Sequence, residues 1–143
     1  MQKGIYTLLI TLNKPTTINV GKLGQISFPE GHYAYVGSAR NGLASRIARH
    51  LRKEKALHWH IDYFLKVGVV KEVTYGITEE DKECAVAVQL KRSLMPILHF
   101  GCSDCRCKTH LFFCHNRFAL KKIIKSSFAN SNLVPKVWES SGS

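Results

Sequence analysis

The chain has 143 residues and carries 21 Lys and Arg against 10 Asp and Glu. That length suits a single domain able to bury roughly two thirds of its unfolded surface, and a net charge of +11 points to a polyanionic partner, nucleic acid first. No apolar run of about 18 residues is available to cross a bilayer, and MQKGIYTLLI lacks a small-residue cleavage site, so no membrane partner is expected and a soluble, cytoplasmic protein is. The five cysteines are an odd number, four of them crowded between Cys102 and Cys114, which favours free thiols or a metal site over a secreted disulfide framework.

IYTLLITL, rich in β-branched and aromatic residues and closed by NKPT, predicts a first strand over Ile5 to Leu12. TINVGKLGQISF, interrupted by Gly21 and Gly24, predicts a short hairpin. HYAYVGS alternates, placing Tyr33 and Tyr35 on one face and Ala34 and Val36 on the other. From Leu43 the period lengthens: Leu43, Ile47 and Leu51 predict the buried stripe of a helix whose remaining positions include Arg46, Arg49, His50 and Lys53. HWHIDYFLKV, from His58 to Val67, predicts a shorter helix with Trp59 in the core. VVKEVTYGIT reads as a strand. TEED then opens a helix, with Thr78 as cap and Asp81 three residues later, running to Pro96. After ILHF and GCSDCRCKTH come an apolar LFFC and a basic helix, NRFALKKIIKSSF, with Phe118, Ile123 and Ile124 as its buried stripe. Residues 129–143 have no period and read as a flexible tail.

Gly4-Ile5-Tyr6, then Tyr35-Val36-Gly37, then Arg46 and His50 four apart on one helix, resemble the GIY-YIG endonuclease motif in order and type. YVGSARNGLASRIARH is its most specific stretch. With VGKLG, RHLRKEKALHWHIDYFL, EC at Glu83 and GCSDCRCKTHLFF, the chain looks like a little-characterised prokaryotic branch of that superfamily, found alone or fused to endonuclease III. The resemblance implies a small, mostly antiparallel mixed sheet flanked by helices, of α/β (α+β) class, with a Cys-rich C-terminal elaboration. It implies one domain over residues 1–128, comprising a nuclease-like core at 4–95 and the Cys-rich segment with the basic helix at 96–128. Tyr6 and Tyr35 lie further apart than in typical members, so an extra hairpin from about Thr16 to Phe28 is expected.

The resemblance also assigns roles: Tyr6, Tyr35, Arg46, His50 and Glu83 catalytic, with Glu83 holding one Mg²⁺ or Mn²⁺. Phosphodiester hydrolysis needs a placed water, a base, positive charge on the developing oxyanions and help for the leaving alkoxide. Arg46 supplies the charge; a metal on Glu83 supplies a Lewis acid. Tyr6, a phenol with an ordinary pKa of about 10, needs its proton withdrawn by a neighbour such as His50 or a metal-bound hydroxide, and Tyr35 orients water or phosphate.

Arg40, Arg49, Lys53, His58 and His60 are the expected nucleic-acid contacts, on a stretch where basic residues far outnumber acids. His58 and Asp62, one helical turn apart, also suit a metal. Cys102, Cys105, Cys107 and His110 offer a compact zinc set, with reduced thiols packed under a tight turn as the alternative. The expected function is a metal-dependent DNA endonuclease in repair or recombination, with DNA, or alternatively RNA, and a repair protein as partners. Two alternatives stand beside it: a non-catalytic nucleic-acid-binding module on the same fold, and a zinc or redox regulatory domain.

Overall fold

The computed structural model describes residues 2–100 and 109–139. Eight strands and four helices follow in chain order: β1 Gly4–Leu12, β2 Thr16–Asn19, β3 Gln25–Phe28, β4 Gly31–Ala39, α1 Leu43–Leu51, α2 His60–Phe64, β5 Val69–Ile77, α3 Glu83–Lys91, β6 Met95–Pro96, β7 Leu111–Cys114, α4 Arg117–Ala129 and β8 Lys136–Val137. Six strands form one sheet in the order β6-β7-β4-β1-β5-β8. Every pairing within it is antiparallel.

β1 is central, and all nine of its residues are buried, because the sheet is covered on both faces and neither set of alternating side chains meets water. Tyr6, Leu8, Ile10 and Leu12 join Tyr33, Tyr35, Leu43, Ile47, Ile61 and Phe64 in one core. Ile5 and Leu9 join Ala34, Val36, Leu90, Leu120, Ile124 and Phe128 in the other. Helices α1 and α2 therefore cover the face bearing the tyrosines, and α3 and α4 cover the opposite face. The expected hairpin is present: β2 and β3 pair with each other from Thr16↔Phe28 to Asn19↔Gln25 and form a separate two-stranded sheet.

Two glycines let these layers close. Gly37 lies opposite Tyr6 across the β1–β4 ladder, and a Cβ there would come within 2.3 Å of the Tyr6 hydroxyl; the phenol occupies the space a side chain would fill. At Gly4 a Cβ would meet the Gly76 carbonyl at 2.2 Å and Leu43 Cδ1 at 2.9 Å, so strand pairing and the seating of α1 both require glycine.

Several expectations are corrected. The buried stripe of α1 is Leu43, Ile47 and His50, while Leu51 is exposed, since the 3.6-residue turn brings position 50 inward. The helix ends where Lys55 Nζ donates to the carbonyls of Arg49 (3.2 Å), His50 (2.7 Å) and Arg52 (3.1 Å), a cation at the negative end of the dipole. α2 is shorter than the expected 58–67. Thr78 does not cap α3; its hydroxyl accepts from the Glu80 N–H in a turn, and the helix starts at Glu83. In α4 the inward residues are Leu120, Ile124, Ser127 and Phe128, and Phe118 is 72% exposed.

The described part of the expected tail is packed. Leu133 is buried in the second core, β8 pairs with β5 at Thr74↔Val137 and Tyr75↔Lys136, and the Trp138 N–H donates to the Val73 carbonyl. Scattered apolar anchors without a period suffice here because the open edge of β5 supplies the backbone partners.

Candidate functional site

A cavity of about 480 Å³ opens at one end of the sheet, lined by Tyr6, Tyr35, Arg46, Trp59, Glu83 and His110 among others. β1 contributes Tyr6 and β4 contributes Tyr35, both on the face covered by α1. Arg46 comes from the middle of α1, and Glu83 is the first residue of α3. Arg40, His58 and His60 also line this cleft. Lys53 lines a second cavity with Arg52, Lys55 and Lys66.

His50 is 2% exposed, and its Nε2 lies 2.6 Å from the Tyr6 hydroxyl. Burial, reinforced by the positive charge of Lys55, lowers the His50 pKa to about 3, so the ring is neutral and its Nε2 is able to accept a hydrogen bond from the Tyr6 hydroxyl. Its Nδ1 is buried without a hydrogen-bond partner among the described residues. Burial pushes the Tyr6 phenol well above its usual value, against the opposing pull of Arg46, and burial likewise raises Tyr35. Both phenols are therefore protonated at neutral pH.

Arg46 Nη1 donates to the Ser38 carbonyl at 3.1 Å, and its guanidinium lies 4.6 Å from the centre of the Trp59 ring. Among the described residues it has no carboxylate partner. Glu83 Oε1 sits 3.2 Å from His110 Nδ1, and burial lowers the His110 pKa. Arg40 forms an exposed ion pair with Asp81 at 2.8 Å, a contact of a kind weak enough to yield to a phosphate.

Arg49 and Asp62 take different parts from those expected. Nη1 and Nη2 of Arg49 donate to the two oxygens of the Asp62 carboxylate, each at 2.9 Å, so its charge is neutralised within the protein. Asp62 Oδ2 also accepts from the backbone N–H groups of His58 and Trp59. Burial alone would raise the Asp62 pKa, but these bonds, led by that of Arg49, pull it down to about 2. Both Asp62 oxygens are thus engaged within the protein, and the His58 ring centre lies 6.3 Å from that of Trp59. Trp59, expected in the core, is 36% exposed and carries Arg49 4.1 Å from its ring centre. Sequence reasoning missed this stack; the available signal was one indole following a run of arginines, since guanidinium groups seek the ring face.

Of the expected zinc ligands, Cys102, Cys105 and Cys107 lie outside the described residues. His110 lines the main cleft, 3.2 Å from Glu83. No group of three or more His, Cys, Asp or Glu side chains that could hold a metal occurs among the described residues. Cys114 is a free thiol, whereas Cys84, beside Glu83, is disulfide-bonded, which differs from the expectation of free thiols or a metal site. No described helix is long and apolar enough to cross a membrane.

Compared with known proteins, residues 5–133 match the family model described as "Domain of unknown function DUF123", and the chain belongs to that family. No curated protein and no solved structure matches the chain significantly.

Proposed function

We propose that this DUF123 protein is a divalent-metal-dependent endonuclease of GIY-YIG type that hydrolyses phosphodiester bonds in DNA, in repair or recombination. The observation that carries this reading is the meeting of Tyr6, Tyr35, Arg46 and Glu83, drawn from four separate elements, around one cleft of a protein with net charge +11.

In this reading Arg46, with no carboxylate partner among the described residues, grips a nonbridging oxygen of the scissile phosphate, where a guanidinium is worth most in a partly dry site. Tyr6 hydrogen-bonds the attacking water and takes its proton as its own hydroxyl proton passes to His50 Nε2, at 2.6 Å. A neutral His50 is the right acceptor, and the negative charge of an arriving phosphodiester raises its affinity for that proton. Tyr35 donates to the water or to a phosphate oxygen. Glu83 offers a single carboxylate, which suits Mg²⁺ or Mn²⁺, ions that keep several waters and fill their remaining positions from substrate phosphate. Bound there, the ion would supply Lewis-acid stabilisation of the leaving oxygen.

The raised phenols favour a second reading, a nucleic-acid-binding module without hydrolysis, since a protonated tyrosine is a poor base. Purified protein that nicks supercoiled plasmid only with Mg²⁺ or Mn²⁺, and loses nicking in Arg46→Ala and Glu83→Ala while Glu83→Ala still binds, supports the enzyme. Tight binding with no cleavage across duplex, branched and flapped substrates supports the module. Zinc found by elemental analysis would turn attention to a regulatory role of the Cys-rich segment.

A further inference from the structure

His58, Trp59 and His60 line the cleft from a segment that becomes helical only at His60, so something other than regular structure must hold it. Asp62 does so. Its carboxylate is 1% exposed, and Oδ2 accepts from the N–H groups of His58 (2.8 Å) and Trp59 (2.9 Å) while both oxygens bind Arg49. The indole so fixed meets two guanidinium groups, those of Arg49 and Arg46. Two cations on one ring would repel, but the charge of Arg49 is answered by Asp62, so the stack tolerates the open charge of Arg46. That side chain is long and loses rotamer freedom when it is held in one place. The Ser38 carbonyl and the Trp59 ring restrain it beside the Tyr6 hydroxyl.

We propose that Trp59 and Asp62 are positioning residues for Arg46: Asp62 fixes the turn that presents the indole, and the indole holds the guanidinium where it meets a phosphate. What Arg46 grips rests on the function proposed above; that Trp59 positions it does not.

The test has two arms. In the first, Arg Nε–Hε resonances are recorded by NMR on wild type, Trp59→Phe and Trp59→Leu, with the Arg46 signal assigned by its loss in Arg46→Lys. A proton stacked on an aromatic face resonates upfield, so the Arg46 signal is expected upfield in wild type and in Trp59→Phe, and at the ordinary exposed position in Trp59→Leu. An Arg46 signal that is unshifted in wild type, or unmoved in Trp59→Leu, overturns the proposal.

In the second arm, a double-mutant cycle of Arg46→Ala and Trp59→Leu measures affinity for a labelled DNA duplex in Ca²⁺. Trp59→Leu alone should weaken binding about three- to tenfold, and the double variant should bind no more weakly than Arg46→Ala alone. Additive losses would show that Trp59 acts for itself and overturn the proposal. Should wild-type protein neither bind nor cleave the duplex, the nuclease reading falls while the NMR arm still decides whether Trp59 holds Arg46.

Discussion

Replacing His50 by Gln removes a titrating group from the interior while leaving an amide able to meet the Tyr6 hydroxyl. In the wild type the folded His50 pKa is lowered to about 3 from its ordinary 6.5, so between those pH values the unfolded chain binds a proton that the folded chain refuses. Stability contributed by a neutral buried histidine is therefore present above pH 6.5 and lost as pH falls toward 3. From pH 7 to pH 5 the loss at this one site is about 2 kcal/mol. His32, His60 and His110 are also lowered by burial and act in the same direction, but they are common to both proteins and cancel in the difference. The lowered Asp62 titrates below this window. Urea unfolding followed by circular dichroism at pH 7, 6 and 5 should give a wild-type curve that falls about 2 kcal/mol further than that of His50→Gln. Curves that decline in parallel would refute a neutral, buried His50 partnered with Tyr6.

Gly37→Ala should displace the Tyr6 ring, because the added methyl would lie 2.3 Å from its hydroxyl oxygen; the expected result is loss of the Tyr6–His50 hydrogen bond by NMR and of any cleavage, with the rest of the sheet retained. Leu133→Ala should destabilise by about 2 to 4 kcal/mol, as buried leucines do, measured by urea unfolding, whereas Phe118→Ser at its exposed position should change stability by less than about 0.5 kcal/mol. Asp62→Asn should cost about 3 kcal/mol or more, since it leaves Arg49 without its counter-charge in a largely enclosed site, again measured by urea unfolding.

The strands were legible because their cause is local: the continuous apolar run of β1 announces a strand covered on both faces, and the alternation in HYAYVGS sorts Tyr33 and Tyr35 from Ala34 and Val36 as the two cores do. The hairpin of residues 16 to 28 was legible for the same reason. Helix details depended on distant partners. Whether Leu51 or His50 turns inward is decided by what awaits it, and Tyr6 awaits His50. α3 starts at Glu83 rather than near Thr78 because the turn before it is held by the Thr78 hydroxyl, which accepts from the Glu80 N–H, and by Lys82, whose amine donates to the Ser131 carbonyl. The packing of Leu133 and Trp138 is set by an open strand edge far away in sequence, which no window over residues 129–143 contains. At the site, the residues meeting in the cleft could be named in advance, but the division of labour between Arg46 and Arg49 could not, because it turns on where the Asp62 carboxylate comes to rest.

The central claim is that Tyr6, Arg46 and Glu83 act together on a phosphodiester. Its most direct measurement is the single-turnover rate of strand cleavage in supercoiled plasmid with Mg²⁺, for wild type, Tyr6→Phe, Arg46→Ala and Glu83→Gln, alongside duplex binding in Ca²⁺. The account predicts a wild-type rate that falls by about a hundredfold or more in each variant while Tyr6→Phe and Glu83→Gln still bind DNA. Cleavage that persists undiminished in all three variants, or its absence from wild type across substrates and metals, would contradict it.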